Sequence, residues 1–300
     1  MDEKILLLTD SACDLSPELE QRYGIRVLNI PILFEGKSYA DRVEITPDEI
    51  YEILNTKEEL PGTAHLNMVD FAEAYQKAVQ EGYNRIIYFG LNSKGSSTFD
   101  ASLMGKKLFF EYQPELEGKV EIYNIDSLSY SYGYGYPLML AAERIEQGAS
   151  AAEIVAFLQE FMRRRELYFA MYTLKFAKRS GRISAAAGFV GEMLGLRPVM
   201  TFEDGKNLTA EKVRGDKSVV PKLFELYKEK ADPQNPQYVL LMGENPEPAQ
   251  ELARLIEQYN GQKPYDIGKM GVCVAINAGP QIVGISFQGR EPVHTSGEVR

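Results

Sequence analysis

The sequence has little of what metal centres and disulfide frameworks are made from. Across 300 residues there are two cysteines, Cys13 and Cys273, far apart and without metal-ligand spacing. Both are expected to be reduced, buried and small in a cytoplasmic protein. Two histidines, His65 and His294, argue against a histidine-rich metal site, and His294 falls in a polar tail. No apolar run approaches the ~20 residues that a spanning helix requires. The opening MDEKILLLTD places acidic residues before its apolar part, which predicts a first strand and not a secretory signal. Neither a GxSxG nucleophile elbow nor a GxxxxGK[ST] phosphate loop occurs, and no internal repeat or low-complexity segment is present.

What is there belongs to a globular α/β protein, with 44% hydrophobic and 25% charged residues. The net charge of −10 argues against general nucleic-acid binding. One tract runs the other way: Arg163 to Lys217 holds twelve basic against six acidic residues. A basic tract in an acidic chain suits a docking surface or an anion site, and equally a solvated helix face.

Strands and helices alternate through the first half. KILLLTD, IRVLNIPILF, RIIYFGL and VEIYNID read as strands. SPELEQRYG and TPDEIYEIL each carry a cap residue followed by proline at the first turn. In NMVDFAEAYQKAVQEG, Val69, Ala72, Tyr75, Ala78 and Val79 share one helical face. SLSYSYGYGYPL opens a further helix whose tyrosines suit packing, and SAAEIVAFLQEFMRRREL closes this half as a helix. That order predicts a three-layer domain with a mostly parallel sheet over residues 1–160.

Beyond it, YFAMYTL, RPVMTF, NLTAEKVRG, YVLLMG, KMGVCVAIN and IVGISFQ are six candidate strands. Turn signals at Asp204-Gly205 and Ala278-Gly279-Pro280 point to antiparallel pairing. Residues 161–300 are therefore expected to form an α/β domain on a mixed six-stranded sheet.

Ligands of parallel sheets bind beyond the carboxyl ends of the strands. Three such ends carry hydroxyls: Asp10-Ser11, Asn92-Ser93 and Asp126-Ser127. The second leads into Ser96, Ser97 and Thr98, a hydroxyl-rich turn before a helix. A reactive serine needs a base and an orienting group, which this sequence does not place nearby. The turn can hold an anion through N–H and O–H donors, or Ser96 or Ser97 can cap the helix. Ser93, at the strand end, is harder to read as a cap. In LKFAKRSGRIS, Gly181 supplies a left-handed turn from which Arg182 projects, a guanidinium suited to carboxylate or phosphate. Ser184 can cap the nearly uncharged segment that follows, either a buried helix or a tunnel wall, with Phe189, Met193 and Leu194 as candidate lining.

Together these pieces resemble the DegV family, which includes the fatty-acid-binding subunit of bacterial fatty acid kinase. The matching pieces run in family order: Asp10-Ser11 with Asp14-Leu15, Thr63 in PGTAHLN, Asn92-Ser93 through Thr98, Asp126-Ser127, Lys178 to Ser184, Arg197-Pro198, Lys212 to Lys217 and Gly279-Pro280. The resemblance implies a two-domain, non-catalytic carrier that buries one long-chain fatty acid, with no cofactor and no metal. It implies a carboxylate held by Thr63 and Ser93, with Asp10, Ser11, Ser96, Ser97, Thr98 and Ser127 as supporting polar groups. It also implies a separate dihydroxyacetone-kinase-like partner that phosphorylates the acid, for which Arg179, Arg182 and Arg214 are the candidate docking or phosphate-facing residues. Transient membrane contact is compatible with such a carrier, and nucleic-acid binding is not expected.

The chain departs from the family at three places. Ala64-His65-Leu66 follows Thr63 where Ser-Gln-Pro is usual, Gly95-Ser96-Ser97-Thr98 stands for Leu-Ser-Gly-Thr, and Asn277 replaces the usual histidine before the Gly-Pro turn. His65 is the candidate replacement imidazole, and Asn277 and His65 join the carboxylate set. A ~16-carbon tail at ~0.8 kcal/mol per methylene gives roughly 12 kcal/mol gross, enough for tight binding without a catalytic apparatus. The alternative is an enzyme acting on a small phosphorylated or acylated substrate at the same strand ends.

Overall fold

The computed structural model describes residues 3–182 and 195–294. The expected helix from Ile183 onward, with Ser184, Phe189, Met193 and Leu194, lies outside the described residues.

The first half runs β1 (Ile5–Asp10), α1 (Pro17–Tyr23), β2 (Arg26–Leu28), β3 (Pro31–Phe34), β4 (Lys37–Ala40), α2 (Pro47–Thr56) and β5 (Gly62–Thr63). It continues through α3 (Met68–Gln80), β6 (Arg85–Gly90), α4 (Thr98–Tyr112), β7 (Glu121–Asp126), α5 (Tyr132–Glu146) and α6 (Ala151–Arg164). Strands β2-β1-β6-β7 form a parallel sheet. IRVLNIPILF splits between two sheets: β2 joins the parallel sheet, while β3 pairs antiparallel with β4 and β5 in a small separate one.

The caps form as their chemistry requires. Ser16 and Thr46 accept N–H groups of the first helical turn, and Pro17 and Pro47 sit where no N–H is needed. In α3 the buried face is Phe71, Ala72, Ala74, Tyr75 and Ala78; Val69, expected on it, is exposed. Asn67 accepts from the Val69 and Asp70 N–H groups, so Val69 belongs to the capped first turn and turns to solvent.

Helix α5 explains its own sequence. It packs on the parallel sheet through β1 and β6, and on the second sheet through a later strand, Tyr238–Met242. Buried between two sheets, it is apolar nearly all round, from Tyr132 to Ala142. Its glycines allow close approach: a Cβ on Gly135 would lie 2.5 Å from the Cys13 carbonyl oxygen.

The second half runs β8 (Arg165–Met171), α7 (Lys175–Ser180), β9 (Leu196–Glu203), β10 (Lys206–Arg214), α8 (Val219–Lys230), β11 (Tyr238–Met242), α9 (Glu247–Asn260), β12 (Ile267–Lys269), α10 (Val272–Ala278) and β13 (Ile282–Gln288). Its sheet has the order β10-β9-β8-β13-β11-β12, antiparallel except for the β11–β12 pair. Helices α8 and α9 cover one face over a core that includes Val283, Ile285 and Phe287. The other face turns toward α5 and the parallel sheet.

Three expectations for this half are corrected. The sixth strand is Ile267–Lys269, and VCVAINA is a helix. A short apolar run fits a buried helix as well as a strand, and Gly271 and Gly279 bracket this one as a seven-residue helix. Gly279-Pro280 ends that helix and makes no hairpin, since β11 lies between β12 and β13. The helix across SAAEIVAFLQEFMRRREL stops at Arg164, where Arg165 to Leu167 enter β8 as buried strand residues. The Asp204-Gly205 turn does join β9 and β10, with φ of 46° and 75° at the two residues. Among the described residues no helix is long and apolar enough to cross a membrane.

Candidate functional site

A cavity of about 370 Å³ lies between the carboxyl edge of the parallel sheet and the open face of the mixed sheet. That volume is in the range of small-ligand sites. Apart from Ser286 its mixed-sheet wall is apolar, with Leu167, Phe169, Phe202, Val239, Leu241 and Ile282. Side chains alternate across a strand, so the face that turns from α8 and α9 is the one that meets the cavity.

The hydroxyls gather at one end. Thr63, His65, Ser93, Ser96, Ser97 and Asn277 all line this cavity, with Lys94 and Arg182 beside them. Thr63 is placed by β5, whose partner on β3 is Ile32. Ser93 follows β6, and its N–H donates to Asp126 Oδ1 at 3.2 Å; its hydroxyl faces the same carboxyl. Asn277 stands on α10 and donates its amide to the Cys273 carbonyl at 2.8 Å. His65 is exposed at the rim.

Arg182 spans the opening. Its Nε donates to the Gly95 carbonyl at 3.0 Å, and its Nη1 reaches Asn277 Oδ1 at 3.5 Å. Arg179 instead donates to the Leu60 carbonyl at 2.9 Å, and Arg214 is exposed on β10; neither lines the cavity. The tip of the β9–β10 hairpin closes on the same loop. Asn92 donates to the Gly205 carbonyl at 2.7 Å, and Lys94 Nζ donates to the Asp204 carbonyl.

The remaining strand-end groups support the site from behind. Ser11 donates to Asp41 Oδ2 at 2.6 Å and accepts the Ile30 N–H. Ser127 accepts the Ser129 N–H, and Thr98 accepts the Leu66 N–H. The two candidate cap serines divide the work. Ser97 occupies the cap position without a side-chain bond, and Ser96 Oγ accepts the Thr98 N–H at 3.2 Å.

Three buried carboxyls sit under this end. Asp10 accepts from Tyr134, Tyr88 and the Leu91 and Ala12 N–H groups, yet burial still raises its pKa. Burial pushes Asp41 up to about 7 and Asp14 up to about 8. Ser131 and the Gly271 N–H face Asp14 without closing a well-formed hydrogen bond, so burial outweighs them.

His294 is not in a free polar tail. Its Nε2 donates to the Arg165 carbonyl at 2.7 Å, and the Asp204 N–H reaches Nδ1 at 3.4 Å. Burial and the Arg165 charge push it down to about 4, so it is neutral. Tyr130, Ser131, Cys273 and Ser286 also line the cavity; sequence pattern offered none of them as a site residue, and marked Cys273 only as a buried thiol. The alternation of IVGISFQ was the available signal, since it puts Ser286 on the face of Ile282 and Gly284.

The sequence profile of the DegV family, described as uncharacterised protein, matches residues 4–290. A DegV domain-containing protein of Clostridium perfringens is 28% identical over 289 residues, which cover 95% of this chain and 99% of that one. The structure is similar to that of a DegV family protein from Thermus thermophilus described for fatty acid binding. The TM-score is 0.82 at 26% identity, covering 95% of this chain and 99% of that one. A DegV lipid-binding protein from Thermotoga maritima gives a TM-score of 0.80 at 25% identity, covering 96% and 99%.

Proposed function

Since this chain belongs to the DegV family, we propose that it binds one long-chain fatty acid and presents the carboxylate to a separate kinase, without itself catalysing a reaction. The observation that carries this is the division of the cavity into an apolar wall on the mixed sheet and a cluster of hydroxyls at its mouth. An alkyl tail gains by leaving water, while its carboxylate must be met by donors or the gain is largely lost.

In this arrangement residues 1–160 supply Thr63, His65 and Ser93, and residues 161–300 supply Asn277 and the apolar wall. Thr63 donates its hydroxyl hydrogen to the carboxylate, and Ser93 does so by turning its hydroxyl from the Asp126 carboxyl that it faces. The Asn277 amide is committed to its own helix, so that residue acts through Arg182, which it helps hold across the opening. A guanidinium there suits the phosphoryl group of an acyl phosphate as well as a docking acidic surface. Arg179 and Arg214 extend the basic surface away from the cavity. Such a carrier works in the cytoplasm, with Cys13 and Cys273 as buried thiols.

Organic extraction of the purified protein followed by mass spectrometry tests the binding step. About one fatty acid per chain is expected, and its carboxylate should become an acyl phosphate only when a dihydroxyacetone-kinase-like subunit and ATP are added. A chain that releases no lipid, or that alone turns over ATP or an ester, would point to an enzyme of small substrates instead.

A further inference from the structure

The far end of the cavity is not uniformly apolar. Strand β13 runs away from the mouth: Ile282 faces Met171, whereas Ser286 lies between Leu167 and Val239. Four residues of strand put Ser286 about 13 Å deeper than Ile282. Ser286 lines the cavity, is 2% exposed, and its hydroxyl has no hydrogen-bond partner among the described residues. Its two cross-strand neighbours on that face, Leu167 and Val239, are hydrocarbon and offer it no partner.

A second polar group stands behind that end. Arg165 is 1% exposed, and among the described residues it forms no ion pair. Its Nη1 donates to Ser129 Oγ, while Nε has no partner. Gly133 lines the cavity in front of this pair: a Cβ there would lie 2.2 Å from Ser129 Oγ, 2.9 Å from Leu167 Cδ2 and 3.3 Å from Arg165 Nη1. The missing side chain makes room for the Ser129–Arg165 pair directly behind the cavity wall, where the positive charge favours an electron-rich oxygen.

We propose, resting on the fatty-acid reading above, that this deep end is a subsite for an oxygenated tail: a fatty acid with a hydroxyl or oxo group in its distal half, hydrogen-bonded by Ser286. A plain alkyl tail leaves the Ser286 donor unmet, and an oxygen placed against a wholly hydrocarbon wall would be unmet in turn. Pairing the two removes both costs. Ser286 donates to an oxo group and either donates to or accepts from a hydroxyl.

The test compares delipidated full-length protein binding stearic acid, mid-chain hydroxystearic acids and ω-hydroxypalmitic acid. Wild type should prefer at least one hydroxylated acid over its plain counterpart by roughly three- to ten-fold, and Ser286→Ala should abolish that preference while keeping plain-acid binding. Ser286→Thr, which retains the hydroxyl, should keep it. Should the alanine variant fail to fold, Ser286→Cys carries the same comparison. Equal ratios in wild type and Ser286→Ala, with plain acids bound, overturn the subsite alone. If no acid binds wild type at all, the fatty-acid reading falls with it.

Discussion

The Tyr134 hydroxyl donates to Asp10 Oδ1 at 2.7 Å, joining the tyrosine-rich start of α5 to the end of the first strand. With Tyr88 on Oδ2 at 2.8 Å, it meets a carboxyl that has no water to turn to. Tyr134→Phe removes one donor and leaves the ring packing, including the edge contact with Phe89, in place. A loss of about 1–3 kcal/mol is expected in urea unfolding, with little change in the denaturant slope.

Gly135→Ala should cost more than helix propensity alone predicts, because alanine favours helices. The new methyl would lie 2.5 Å from the Cys13 carbonyl oxygen, which is backbone and cannot swing aside. Overpacking of this kind costs about 1–3 kcal/mol. A melting temperature equal to that of wild type would show that α5 has room to shift.

The Thr63→Ala/Ser93→Ala double variant should lose bound lipid while keeping its circular dichroism spectrum. Each lost donor to a buried carboxylate is worth about 1–3 kcal/mol, so affinity should fall by roughly thirty-fold or more. Lipid content by mass spectrometry gives the answer directly. Unchanged occupancy would move the head group away from these hydroxyls.

Stability should depend on pH through Asp14 and Asp41. Their folded pKa values, about 8 and about 7, lie above the ordinary 3.8. Between these limits the folded chain binds more protons than the unfolded one, so stability falls as pH rises from about 4 to about 8. His294 works in the opposite sense: with its pKa pushed down from 6.5 to about 4, it favours folding more as pH rises through that interval. Asp14→Asn should flatten the alkaline side of the profile, by at most about 1.4 kcal/mol per pH unit. Urea midpoints measured across the range check both slopes.

The parallel sheet was legible because its signals were local. Capping residues, prolines at first turns and short apolar strands act within a few residues, and helix α2 obeys its Thr46-Pro47 start. VCVAINA was not legible, because its composition fits two buried conformations and tertiary packing chose between them. At the site, sequence pattern found the hydroxyls at strand ends but not which of them reach the cavity. Ser11 and Thr98 are consumed by Asp41 and Leu66, while Ser93 stays on the wall. Asp41 and Ser286 were invisible for another reason. One is a polar residue in a short loop, the other a serine in a strand, and only the three-dimensional burial sets them apart.

The hairpin tip seated on Asn92 has an architectural corollary. The β9–β10 arm at the outer edge of the mixed sheet rests its tip on the loop that follows β6, so the register of an edge hairpin and the seating of the first-half loop are tied together. Adding or deleting one residue in that arm would slide its register and lift the tip from its seat.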